Sequence, residues 1–282
     1  MVEFSVSKLS TILGCEVHGV DLGSEISKET AAFIYGELVK HGLLVFRGQD
    51  ISPSQQVKIG RLFGQPVVPL NVYESFPDAP EITVLHADAK SSPDTDIWHV
   101  DSSFREEPPF ATILSSVIVP PLGGDTIFAC MRSALRSLPP GFRNDIQGLF
   151  AVHEVGDLKN HFSRSKEDHH QLIKGLRDHG AAIHPIVYAH PHSLEDVLYV
   201  NETYTSHVLG LNAGENRRVL NYLFDLIKTP ELHYRHRWEE GMVVIWDNRL
   251  VQHYAVADYL PQTRTMHRLT LINDLHLHEV SD

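Results

Sequence analysis

Cysteine is nearly absent. Cys15 and Cys130 are the only two in 282 residues, too few for the disulfide framework of a small secreted scaffold, and neither has a neighbour at metal-binding or redox spacing. Both read as small buried residues. Long apolar runs are missing as well: the longest, such as Gly42 to Phe46 and Met242 to Trp246, fall far short of the ~20 residues that a bilayer-crossing helix needs. No membrane partner is expected. Met1 to Ser10 lacks a basic start followed by an apolar stretch, which argues against a secretory leader and for a cytoplasmic address. Basic charge is scarce too. The 24 Lys and Arg against 36 Asp and Glu leave a formal charge of −12, which repels a phosphate backbone, and no basic stripe is interleaved with aromatics. Nucleic acid is therefore not expected as a partner.

What is present is an ordinary globular composition, 42% hydrophobic and 21% charged, with enough apolar surface for one large domain over residues 1–282. Ser27 starts a segment that fits an N-cap and a helix ending at Gly42, with Ala32, Ile34, Leu38 and Val39 on one side. Gly42 to Phe46 reads as a buried strand. Ser52-Pro53 opens a second helix, closed by Gly64. From Ala111 the pattern changes to short apolar runs separated by turn residues: Ala111 to Val119, Thr126 to Ala129, Phe150 to Val155, Ile183 to Ala189 and Val197 to Asn201. Two helical stretches interrupt them, Lys166 to Arg177 and Ala213 to Lys228. Further strands are expected at Leu232 to Trp238, Met242 to Trp246, Gln252 to Ala257 and Thr265 to Asn273, before an exposed tail from Asp274 to Asp282. Regularly spaced short strands of this kind indicate a sandwich or barrel, mainly β with flanking helices. The Pro-, Asp- and Ser-rich span Pro69 to Ser92 reads as a cover over the site.

Histidine is in excess, 19 residues, about three times an average composition, so spacing has to select the functional ones. In Trp98-His99-Val100-Asp101 the imidazole and the carboxylate are two residues apart, which on an extended strand aims both at one face. A further imidazole is offered by His253, after the strand Met242 to Trp246 and the turn Asp247-Asn248-Arg249. Two histidines and one carboxylate leave coordination positions open, the pattern of non-haem Fe(II) oxygenases rather than of a closed zinc site. Arg264 and Arg268 share a strand face, so two guanidinium forks can enter one pocket and bind anions.

The order His99, Asp101, Thr126, His253, Arg264 resembles the taurine dioxygenase family of iron(II)/2-oxoglutarate enzymes. The likeness runs from Leu13-Gly14-Cys15-Glu16-Val17 through Val45-Phe46-Arg47-Gly48-Gln49 and Gly123-Gly124-Asp125-Thr126, and is densest from Trp246-Asp247-Asn248-Arg249 to Met266-His267-Arg268. The resemblance implies a double-stranded β-helix of the jelly-roll or cupin kind. It implies Fe(II) held by His99, Asp101 and His253, 2-oxoglutarate held through its distal carboxylate by Arg264 and the Thr126 hydroxyl, and O₂ as co-reactant, with succinate and CO₂ as products. Arg268 resembles the arginine that binds the acidic head of the primary substrate.

For that substrate the resemblance is a mosaic. Tyr73 and Arg268 match the taurine enzymes, whereas Leu70 and Thr95 stand where those enzymes carry a histidine and an asparagine, and Tyr204 replaces a phenylalanine. Asp101-Ser102-Ser103-Phe104 and Tyr234-Arg235-His236-Arg237-Trp238 are similar to the aryloxyalkanoate dioxygenases. A small organic acid, sulfonate or carboxylate, is the expected substrate, hydroxylated beside its heteroatom. Taurine itself, an aryloxyalkanoate and an amino-acid-derived metabolite are the alternatives. Of the rival classes, a zinc hydrolase has no need of Arg264 and Thr126, and a non-catalytic barrel would be expected to have lost a ligand. Trp98 and Trp246 read as core, and His169-His170, His190-Pro191-His192 and His276-Leu277-His278 as incidental. Homo-oligomerisation is left open by the sequence.

Overall fold

A computed structural model describes residues 4–69, 74–91, 96–155 and 180–277. The chain opens with strands β1 (Ser5–Lys8) and β2 (Cys15–His18), helix α1 (Lys28–His41), β3 (Leu43–Phe46) and helix α2 (Pro53–Gly60), followed by β4 (Gln65–Pro66), β5 (Glu74–Phe76) and β6 (Ala79–Ala87). Next come β7 (Ala111–Ile118), β8 (Thr126–Cys130), helices α3 (Met131–Ser137) and α4 (Pro140–Ile146), and β9 (Phe150–Glu154). The remainder contains β10 (Ala181–Pro185), β11 (Val187–Ala189), β12 (Asp196–Leu198), β13 (Thr205–Val208), α5 (Ala213–Ile227), β14 (His233–His236), β15 (Val243–Asp247), β16 (Val251–Ala255) and β17 (Arg264–Ile272).

A nine-stranded sheet in the order β1-β2-β3-β15-β7-β17-β6-β5, with β4 beside β17, faces a three-stranded sheet β14-β8-β16. This is the double-stranded β-helix expected from the sequence. The central strands are apolar on both faces because each face has a different neighbour. On β15, Val244 and Trp246 point into the core between the sheets, while Val243 and Ile245 point into a second core under the helices. On β3, Leu43 and Val45 take the first direction and Leu44 and Phe46 the second.

Both N-terminal helices begin on the residues the sequence marks, and α1 ends at Gly42 as expected, whereas α2 ends at Gly60, a turn short of the expected Gly64. Ser27 accepts from the Thr30 amide, Gly42 caps α1 at φ 71°, and Ser52 forms a capping box with Gln55. The buried face of α1, however, is Ala31, Ile34, Tyr35 and Leu38, with Ala32 exposed.

Three other expectations need correction. The span read as a cover contains β5 and β6, and β6 pairs with β17 along Arg264–Arg268; Ile82 and Thr83 are buried, so Glu81-Ile82-Thr83-Val84-Leu85 is an integral strand. Asp274, read as the start of an exposed tail, is 4% exposed and accepts hydrogen bonds from Arg249 and Tyr35. His276 stacks on the Tyr35 ring at 4.1 Å. The stretch Ile183 to Ala189 divides at Ile186 into two strands in different sheets. The helix expected at Lys166 to Arg177 lies outside the described residues. Among the described residues, no helix is long and apolar enough to cross a membrane.

Candidate active site

The site lies where the segment before β7 meets β16. His99 and His253 form an isolated antiparallel bridge: the His99 amide donates to the His253 carbonyl at 3.1 Å and the His253 amide donates back at 3.0 Å. This pairing places the two imidazoles side by side, with ring centroids 4.0 Å apart. Asp101 reaches the same point by a different route from the extended strand expected. The chain turns immediately after it, with Ser102 at φ 49° and the Arg105 amide bonded to the Ser102 carbonyl. Thus the His99 and Asp101 side chains converge through a bridge followed by a tight turn. The Asp101 Oδ1 lies 4.0 Å from the Nε2 of each histidine. All three residues are buried, and their donor atoms lie within 4.8 Å of one another. Separations of 4.0 Å are too long for hydrogen bonds, so the donors do not satisfy each other.

Hydrogen bonds aim the donors. His99 Nδ1 donates to the Ile97 carbonyl at 2.7 Å, leaving the Nε2 lone pair directed into the site. The Asp101 Oδ2 accepts from the Thr112 hydroxyl at 2.6 Å, Thr112 accepts from Asn248 Nδ2 at 2.9 Å, and Asn248 Oδ1 accepts from Trp246 Nε1 at 2.8 Å. Burial alone would raise the Asp101 carboxyl, but Arg268, His253, His99 and the Thr112 bond together hold it below its ordinary value. His253 is pushed well below the ordinary imidazole value, first by burial and then by its neighbour His99, so it is neutral and able to ligate. Arg268 lies 3.4 Å from Asp101 Oδ1, placing one fixed cation at the rim of the donor set.

A second group of side chains lies along β8 and β17. Thr126 is two residues from Phe128, which pairs with His253. The Thr126 Oγ1 accepts a hydrogen bond from Trp238 Nε1 at 3.0 Å, which leaves the hydroxyl proton to be donated elsewhere. Arg264 is 8% exposed; its Nε donates to the Gly124 carbonyl at 3.1 Å and its guanidinium lies 5.9 Å from the Trp238 ring centroid. Among the described residues no carboxylate comes within ion-pair distance of it. Burial lowers the Arg264 pKa, opposed only by Tyr259 and Asp125. Gly124, at φ 70°, permits this approach, since a Cβ there would come within 3.1 Å of Arg264 Cδ.

Tyr204 packs edge-on against Phe104 at 5.1 Å and, with Val155, forms a small apolar cluster separate from both main cores. The cluster borders the ligand segment: Phe104 follows Asp101 by three residues, and Thr203 beside Tyr204 donates to the Trp98 carbonyl at 3.0 Å. Leu70, Tyr73 and Thr95 lie outside the described residues. The structure brings together His99, Asp101, His253 and Arg268, and separately Thr126 and Arg264. Sequence reasoning missed Thr112, Asn248 as an anchor, and Trp238. Asn248 is two residues from Trp246 and could have been suspected, but nothing local marks Thr112, eleven residues from Asp101.

The profile of the taurine catabolism dioxygenase TauD, TfdA family matches residues 5–270. The chain belongs to this family. An alkylsulfatase of Acinetobacter baylyi is 31% identical over 97% of the chain and 86% of its own length. An alpha-ketoglutarate-dependent sulfate ester dioxygenase of Pseudomonas putida is 31% identical over 97% of the chain and 91% of its own length. The crystal structure of a taurine dioxygenase from Burkholderia xenovorans superposes with a TM-score of 0.82 at 29% identity, covering 96% of this chain and 90% of that one.

Proposed function

We propose that this protein is an Fe(II)- and 2-oxoglutarate-dependent dioxygenase that hydroxylates a small sulfonate or sulfate ester, releasing succinate and CO₂, and that it works in the cytoplasm as a single domain. The observation carrying the reading is a pair of adjacent deficits: three buried donors that do not satisfy one another, and a buried Arg264 for which the described chain supplies no carboxylate. Two imidazole nitrogens and one carboxylate oxygen suit Fe(II) with positions left for other ligands. When bound, the metal supplies O₂ activation for oxidation of a C–H bond.

The side chains do the rest. Arg264 and the free proton of the Thr126 hydroxyl hold the distal carboxylate of 2-oxoglutarate, and Trp238 fixes both partners. Arg268 takes the anionic head of the substrate. Phe104 and Tyr204 offer an apolar wall for its carbon chain and keep water away from the reacting carbon. A hydroxyl installed on a carbon bearing a sulfate oxygen collapses to the aldehyde and inorganic sulfate, so product release needs no separate hydrolytic base. The named activity of the Pseudomonas relative favours sulfate esters over aryloxy acids.

The test is succinate and sulfate or sulfite release by the Fe(II)-loaded protein with 2-oxoglutarate and O₂, across alkyl sulfates, sulfonates and aryloxy acids. Equimolar succinate and sulfur anion with one organosulfur class is the expected result. Succinate coupled only to an aryloxy acid would replace the substrate class, and sulfate release without 2-oxoglutarate would contradict the reaction type.

A further inference from the structure

Away from this site, one other group of metal-ligating side chains converges among the described residues: Cys15, Glu37 and His41, whose donor atoms also lie within 4.8 Å of one another. Sequence spacing hides the group, because Cys15 sits on β2 whereas Glu37 and His41 are on α1. The fold brings them together, since Glu37 and His41 are four apart and share a helix face, and the Cys15 side chain is turned inward beneath that face, fully buried.

The group is only partly satisfied internally. Glu37 Oε2 and His41 Nε2 make an ion-pair contact at 3.1 Å, but among the described residues neither buried atom has a partner with hydrogen-bond geometry. The other carboxylate oxygen, Oε1, faces the exposed Lys40 ammonium at 3.5 Å, so the two oxygens have different tasks. The group lies at the C-terminal end of α1, where the partial negative charge of the helix favours a cation.

We propose that Cys15, Glu37 and His41 form a second metal site, for a borderline-soft divalent cation of the Zn²⁺ class. One thiolate, one imidazole and one carboxylate suit such a cation, with the fourth tetrahedral position left to water. The thiol excludes hard cations such as Mg²⁺ and Ca²⁺. Burial and the Glu37 carboxylate push the Cys15 thiol up to about 12, so binding replaces the S–H bond with an S–metal bond and releases that proton to solvent. Bound there, the cation joins β2 to the last turn of α1 and stabilises the folded chain by linkage. The site is chemically distinct from His99, Asp101 and His253, which offer only nitrogen and oxygen.

That distinction gives the test. Titrating the full-length protein with Co²⁺ under reducing, anaerobic conditions should produce a near-ultraviolet thiolate-to-cobalt charge-transfer band that is saturated by the second equivalent, the other equivalent going to His99, Asp101 and His253, which give no thiolate band. The band should disappear in Cys15→Ala, require at least about tenfold more Co²⁺ in His41→Ala, and be bleached by Zn²⁺. Saturating Zn²⁺ should raise the Tm of the wild type more than that of either variant. Should Cys15→Ala not fold, His41→Ala and Glu37→Gln carry the same readout. No thiolate band with the wild type, or a band undiminished in these variants, would overturn the proposal.

Discussion

Arg249 and Arg264 are both buried, in opposite circumstances. Arg249 makes a two-pronged contact with Asp247, donates to Asp274 at 2.8 Å and lies over the Phe110 ring; although burial opposes its charge, Asp247 and Asp274 raise its pKa well above the ordinary value. Arg264 has a backbone carbonyl and an indole face, and burial lowers its pKa. The first arginine closes a network that also includes His190, His192 and Tyr35 and ties the segment after β17 to α1. The second has no internal countercharge, and the proposed function assigns that place to a ligand's carboxylate. A buried cation whose countercharge is internal ties the fold together, and one without it is a candidate for binding an external anion. One short segment serves both ends: Trp246 and Asn248 point toward Asp101 through Thr112, whereas Asp247 and Arg249 point into the ion network.

Arg249→Ala should give the largest effect, a loss of about 3–5 kcal/mol in urea unfolding, because it leaves two buried carboxylates without their cation. Arg264→Ala should hardly change unfolding yet weaken 2-oxoglutarate binding by about 2–5 kcal/mol, measured by anaerobic titration of the Fe(II) protein. If the two variants exchanged these phenotypes, the division between them would be wrong.

Histidine burial sharpens the same contrast through pH. His153 is pushed to about 3 by burial and by His184, and His236 to about 3 by burial and by the charges of Arg47 and Arg264. Both are neutral in the fold, so between the ordinary 6.5 and about 3 the unfolded chain binds more protons. Stability is therefore full above that window and falls as pH drops through it, by up to about 1.4 kcal/mol per pH unit for each histidine. Urea midpoints at pH 7 and pH 5 measure the slope, and His153→Gln should flatten it; an unchanged slope would contradict the assignment.

The smallest effect belongs to Trp238→Phe, which keeps a ring near Arg264 and removes the donor to Thr126. It should raise the 2-oxoglutarate Kd about fivefold, roughly 1 kcal/mol, and have no further effect in a Thr126→Ala background.

The sequence disclosed those parts of the molecule whose cause is local. N-caps at Ser27 and Ser52 and the two-sided apolar strands around Val45 and Val244 could be read directly; the meeting of His99 and Asp101 could be read too, although a bridge and a turn produce it rather than the extended strand expected. Strand β6 was obscured because Pro, Asp and Ser on either side of it suggested a loop, although Ile82 and Thr83 are buried in the sheet. The burial of Asp274 depends on Arg249 and Tyr35, far away along the chain. Thr112 and Trp238 act through hydrogen bonds across strands, and no period or motif reveals such a bond. The same holds for Cys15, whose neighbours Glu37 and His41 are assembled only by the packing of α1 on the sheet.

The most direct test of the central claim is the visible charge-transfer band that forms when 2-oxoglutarate chelates Fe(II) in an anaerobic sample. One equivalent of Fe(II) per chain and a saturable band are expected in the wild type, no band in His99→Ala, and a band needing far more 2-oxoglutarate in Arg264→Ala. A wild-type protein that binds iron but shows no band, or an Arg264→Ala protein that titrates like the wild type, would contradict it.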